Sequence, residues 1–170
     1  MPLSEFNNVL LDGLQFCSKV YALFEKIRQE EGGVSKLRLR KSNVEKRLIE
    51  ELLPLCKYIQ TKYREGRYIS IKWVNGSQKF DAEIQQRGAY IDQGYFPKLS
   101  YLEVTCTMHK NEYLSREHLD KEGWAFGLEG IKRLPTREII SEPTCHSNSD
   151  FIVSFSKTVM DQIKKKTANT

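Results

Sequence analysis

Between Tyr68 and Thr107 the chain changes from a helical to a two-residue period, and that switch restricts the fold more than any other feature. Tyr68 to Val74 is dense in β-branched and aromatic residues. Gln78 to Gln85 then alternates, with Phe80, Ala82 and Ile84 on one side and Lys79, Asp81, Glu83 and Gln85 on the other. Successive strand side chains point to opposite faces, so this run predicts a strand with one buried and one open face. Asn75-Gly76 between the two runs predicts a type I′ hairpin, since both central residues of that turn take positive φ. After a connection containing Gly88, Gly94 and Pro97, a third strand is expected from Leu99 to Thr107. Leu102, Val104 and Cys106 take its apolar face, and Tyr101, Glu103, Thr105 and Thr107 the other.

The sequence before the strands is helical. Residues 4–30 read as a helix capped by Ser4, with Phe6, Leu10, Leu14, Cys17, Tyr21 and Phe24 at helical spacing and Gly32-Gly33 closing it. Lys36 to Lys41 alternates basic and apolar residues and reads as a short strand or a linker. Ser42 opens a second helix through a capping box with Glu45. Val44, Leu48, Leu52, Leu55, Ile59 and Tyr63 form its apolar stripe, and Pro54 predicts a kink. Beyond the third strand, residues 111–122 predict a short polar helix ending at Gly123. Leu128 to Leu134 and Arg137 to Ser141 predict two strands, and residues 149–166 an amphipathic helix with Ile152, Phe155, Val159 and Ile163 on its apolar side. The expected architecture is α/β: a mixed sheet with flanking helices in a single domain, residues 1–35 forming an N-terminal helical element and residues 36–170 the core.

Composition narrows the class of partner. The 170 residues are 39% apolar and 29% charged, ordinary for a globular chain. No run approaches the ~20 apolar residues of a membrane span, and no secretory signal is visible, so a cytoplasmic location is expected. Cys17, Cys56, Cys106 and Cys145 form no CxxC pair and read as reduced, mostly buried thiols. A net charge of +5 permits a polyanionic partner without requiring one.

The order helix, strand, strand, strand, helix, with Asp81 on the second strand and Glu103 on the third, resembles the PD-(D/E)xK, or restriction-endonuclease-like, nuclease superfamily. The resemblance spans Ser42 to Lys166. It implies an αβββαβ-type core in which Asp81 of Phe80-Asp81-Ala82-Glu83 and Glu103 of Leu102-Glu103-Val104-Thr105 bind Mg²⁺ or Mn²⁺. Thr105 stands where the family carries the lysine that positions the nucleophilic water. Glu45 lies in the helix where some members carry a further acid.

The chemistry is coherent on physical grounds. Neighbouring strands lie about 4.8 Å apart, so two carboxylates on one face can share a cation. Mg²⁺ prefers one or two carboxylates and completes its octahedron with water and substrate phosphate. Lys79, two residues before Asp81, is either an ordinary solvated charge near the hairpin turn or the substitute for the absent lysine, with Lys98 and Lys110 as fallbacks. Arg38, Arg40, Lys41 and Lys46 are the expected contacts to DNA or RNA. Two functions follow as expectations: a metal-dependent nuclease hydrolysing phosphodiester bonds, or a nuclease-fold module that binds nucleic acid or a protein partner without cleaving. Cys106 with His109, His118 and Cys145-His146 offers zinc-type ligands at irregular spacing. Cys106 is expected on the apolar face, and His118 on a helix surface.

Overall fold

The computed structural model describes residues 3–76, 78–145 and 147–167. Its contacts divide the chain into two compact units, Met1–Val104 and Thr105–Thr170. The chain is α/β, as its periodicities predict.

The first unit contains a four-stranded sheet in the order β1 (Leu10–Asp12), β2 (Tyr68–Trp73), β3 (Ala82–Arg87) and β4 (Leu99–Leu102). The described ladders of this sheet are all antiparallel, where a mixed sheet was expected. Ile71 pairs with Ile84 and Leu11, and Ala82 pairs with Leu102, so these residues share one face. Ile69, Ile71, Trp73, Ala82 and Ile84 are buried there with α1 (Gly13–Gln29) and α4 (Leu53–Lys62). The opposite face carries Tyr68 beside Arg87 and Lys72 beside Glu83.

Several predicted boundaries change. The first helix begins at Gly13, not Ser4, and Asp12 caps it by accepting from the Leu14 N–H at 3.0 Å. Asn8 adopts φ 60°, which breaks a continuous helix and frees Leu10–Asp12 to pair with β2. The helix therefore buries Phe16, Val20, Leu23 and Ile27, while Leu14 is exposed. Gly13 is required by close approach, because a Cβ there would lie 2.8 Å from the Ile69 carbonyl oxygen.

Lys36–Lys41 is neither a strand nor an extended linker. Gly33–Leu39 forms α2, which Arg40 closes in the left-handed conformation. The predicted stripe on the next helix does hold, and Leu48, Leu52, Leu55 and Ile59 are buried. That helix is α3 (Asn43–Arg47), a π-helical turn (Leu48–Leu52) and α4. Pro54 has no N–H to return to Glu50. The wider turn, with Leu53 N–H donating to the Leu48 carbonyl, accommodates the ring in the first turn of α4.

The Asn75-Gly76 hairpin is also looser than predicted. β2 ends at Trp73 and β3 starts at Ala82, so a longer connection replaces a two-residue turn; Ser77 lies outside the described residues. Lys72 and Glu83 then pair across β2 and β3 at 2.7 Å. Lys72, with Gln85, holds the Glu83 carboxyl below its usual range. A lowered folded-state value contributes stability above the ordinary carboxylate pKa and loses it as pH falls. Glu83→Gln is therefore expected to cost about 0.5 kcal/mol near pH 7 and almost nothing near pH 3, as read from denaturant midpoints.

A short helix, α5 (Ala89–Asp92), lies between β3 and β4. In the second unit, α6 (Glu112–Glu122) ends at a left-handed Gly123, as predicted. It packs on the antiparallel pair β5 (Ile131–Arg133) and β6 (Ile139–Ser141), shorter than the predicted strands. His118 is buried rather than on the surface, with Nδ1 3.2 Å from the Ile139 carbonyl oxygen and its ring edge-on to Trp124. The last helix, α7 (Asn148–Thr167), leaves Ile152, Phe155 and Ile163 exposed, so its apolar stripe is present but open. Among the described residues, no helix is long and apolar enough to cross a membrane.

Candidate carboxylate site

Asp81 sits where the β3–β4 ladder breaks. Ala82 is in register with Leu102, yet the Asp81 N–H also donates to the Leu102 carbonyl at 2.8 Å. Two residues thus oppose one, the pattern of a bulge that ends regular pairing and re-aims a side chain. The Asp81 carbonyl still accepts from the Val74 N–H at 2.9 Å, so its backbone is held from both sides. Its carboxylate then does what a main-chain carbonyl would have done had pairing continued: Oδ2 accepts from the Val104 N–H at 2.6 Å.

This bond fixes Asp81 against the residue after Glu103. The two acids each lie one position beyond the Ala82–Leu102 pair, at the same end of neighbouring strands. Glu103 is exposed and Asp81 half-buried. The third strand is shorter than predicted, because the Asp81 carboxylate captures the next amide. Glu103 follows β4 instead of lying within it. Strand alternation therefore does not set the direction of Glu103.

The remaining predicted residues disperse. Thr105 is exposed and opens the second unit, outside any strand. Lys79 is exposed at a bend before β3, so the period-two argument that aligned it with Asp81 does not apply. Glu45 is buried in the predicted capping box, its Oε2 accepting from the Ser42 N–H at 3.1 Å and from the Ser42 hydroxyl. Arg38 is half-buried on α2. Arg40 pairs with Glu50 at 3.4 Å, and Lys41 and Lys46 are exposed. Lys36, beside them in sequence, pairs with Glu30 at 2.8 Å, so part of the basic run is neutralised locally.

The zinc-type residues do not gather. Cys106 and Cys145 are exposed, against the expectation of an apolar position for Cys106, whereas Cys17 and Cys56 are buried. His109 pairs with Glu129 at 2.9 Å and accepts the Asn111 N–H on Nδ1. His146 lies outside the described residues. Among the described residues, no group of three or more His, Cys, Asp and Glu side chains is placed to hold a metal.

A hard divalent cation needs oxygen donors, and the Asp81 carboxylate suits one. Val104 anchors Oδ2, while Oδ1 has no hydrogen-bond partner among the described residues. Ligating carboxylates are commonly oriented by such a bond on the other oxygen. Sequence reasoning passed over a different set, Arg64, Arg67, Arg87, Tyr90, Tyr95 and Phe96. The available signal was the recurrence of arginine and aromatic residues on either side of the predicted strands. This chain matches no protein-family model, no curated protein and no solved structure.

Proposed function

We propose that this chain is a cytoplasmic, metal-dependent nuclease-like protein acting on phosphodiester bonds of DNA or RNA. Asp81 and Glu103 would hold Mg²⁺ or Mn²⁺, within a restriction-endonuclease-like core formed by α3 to α4 and β2 to β4. The observation that carries this reading is the bond from the Val104 N–H to Asp81 Oδ2. It draws the aspartate to the start of the Glu103-Val104-Thr105 segment and leaves Oδ1 without a hydrogen-bond partner among the described residues. The helix–strand–strand–strand order supports the same reading.

A bound cation would polarise the phosphoryl oxygen and lower the pKa of the attacking water. The protein's own contribution is to hold Asp81 oriented, through its backbone and through Val104. The non-cleaving reading, in which the same fold only binds, is favoured by Thr105 and by the displaced Lys79. Neither supplies a positive charge on the strand beside the acids.

The two readings separate in a cleavage assay on single- and double-stranded substrates with Mn²⁺ or with EDTA. Cleavage by wild type that requires metal supports the nuclease. Lys79→Ala is expected to cleave as well as wild type, because Lys79 stands outside β3. An inert wild type with a Thr105→Lys variant that gains metal-dependent cleavage identifies a binding module that lacks one catalytic part. If both are inert, and Mn²⁺ does not raise the melting temperature, the metal assignment is wrong.

A further inference from the structure

Where β2 begins and β3 ends, arginines and aromatic rings interleave. Arg64 and Arg67 bracket a turn in which each backbone N–H donates to the other's carbonyl. Gly66 within that turn has φ +77°. Tyr90 lies on this turn: its N–H donates to the Gly66 carbonyl at 3.0 Å, and a Cβ at Gly66 would come within 3.1 Å of its ring. The Arg64 guanidinium is 5.6 Å from the Tyr90 ring centroid, and Arg67 stands 3.8 Å over Phe96. Arg87, the cross-strand partner of Tyr68, lies 6.0 Å from that ring. Tyr95 meets Tyr90 edge-on at 6.0 Å.

Two properties separate this cluster from ordinary packing. Arg64, Arg67 and Arg87 have no carboxylate partner among the described residues. On the helices, by contrast, Arg28, Lys36, Arg40 and Arg47 each face a glutamate. Glu65, in the same turn, is exposed and forms no ion pair with the arginines. The rings are also open to solvent, with Tyr68, Tyr90 and Tyr95 at 37%, 40% and 68% exposure. Arg67 is the exception: it is buried and fixed by a 2.7 Å bond to Gln86, which makes it a support for Phe96.

We propose that this end of the sheet binds single-stranded nucleic acid, with bases stacking on Tyr90 and Tyr95 and phosphates pairing with Arg64 and Arg87. Unpaired guanidiniums supply the charge that a phosphate backbone needs, and exposed rings supply stacking surfaces that accept any base. A duplex buries the faces of its bases and cannot use the rings. An acidic peptide would use the cations and leave the rings wet. The surface is separate from the Arg38–Lys46 run, and it needs neither the carboxylates nor a metal.

The test is fluorescence anisotropy of the full chain in EDTA, with an oligonucleotide of about 20 nucleotides and its duplex. Tighter binding of the single strand is expected. Tyr95→Ala should weaken that binding about tenfold, through loss of a stacking surface. Tyr95 is exposed enough for the fold to survive, and an unchanged melting temperature checks this. Arg64→Gln combined with Arg87→Gln should reduce the slope of log affinity against log salt by about 1.4, at ~0.7 per phosphate. Asp81→Asn should still bind the strand, so a failed cleavage assay and a failed binding assay remain distinguishable. Equal affinity for duplex, no binding at low salt, or unchanged affinity in these variants would overturn the proposal. So would self-association that Tyr95→Ala abolishes while oligonucleotide affinity stays the same, which would make the patch an interface between copies.

Discussion

Trp73→Ala is expected to destabilise the first unit by about 3–5 kcal/mol, the range for removing a large aromatic from a packed core. Trp73 is fully buried on the covered face of β2. Its carbonyl accepts from the Asn8 N–H at 2.8 Å, which ties the N-terminal segment to the sheet. Its indole Nε1 donates to Glu51 Oε2 at 3.0 Å, on the π-helical turn, and Glu51 also pairs with Arg47. One side chain thus joins sheet, helix and a half-buried acid. Trp73→Phe isolates the polar part: it keeps much of the ring volume but removes the donor to Glu51, at a cost of about 1.5–3 kcal/mol for a bond to a charged group. Urea denaturation reads both variants. A Trp73→Ala loss below about 1 kcal/mol would mean that the indole is not the keystone of this core.

What could be read from the sequence depended on whether the signal was local. The stripe Leu48, Leu52, Leu55 and Ile59 follows directly from helical period, and the Ser42–Glu45 capping box from two residues three apart. Both are present. The N-terminal helix was misplaced because Leu10 and Leu14 suit a helical stripe as well as Phe16 and Val20 do. The choice between them is made by a tertiary event, the pairing of Leu10–Asp12 with Ser70–Lys72. The Lys36–Lys41 run alternates like a strand, yet Gly32 at φ +65° lets the chain turn into a helix, and ion pairs to Glu30 and Glu50 brace it.

The candidate site was legible to the level of which two strands the acids adjoin, and no further: Asp81 precedes β3 and Glu103 follows β4. Nothing in Phe80-Asp81-Ala82 announces a bulge, since a bulge is a relation between strands. Once Asp81 bonds the Val104 amide, alternation past Leu102 is lost, and with it the argument for Glu103, Thr105 and Lys79 on a common face. The arginine–tyrosine cluster was missed for a related reason. Its members are 31 positions apart from Arg64 to Tyr95 and meet only because Gly66 and Gly88 let two turns touch.

Asp81→Ala and Asp81→Asn are expected to diverge in stability while agreeing on metal. The Asp81 carboxylate carries two separable roles: it accepts from the Val104 N–H, and it offers a negative charge beside Glu103. Alanine removes both. It leaves the half-buried Val104 amide without its acceptor, for a loss of about 1.5–3 kcal/mol, the worth of a hydrogen bond to a charged group. Asparagine keeps an oxygen that can accept at the same place and loses only the charge, so it should cost about 1 kcal/mol or less. A hard divalent cation responds to the charge rather than to the acceptor, so its stabilisation of the native state should vanish in both variants. The experiment is a set of thermal melts of wild type and both variants, with and without Mn²⁺. Divergent melting temperatures without metal, together with a Mn²⁺ shift confined to wild type, assign both roles to one side chain. A Mn²⁺ shift that persists in Asp81→Asn would place the cation elsewhere, and Asp81 would then be solely the residue that ends the β3–β4 ladder.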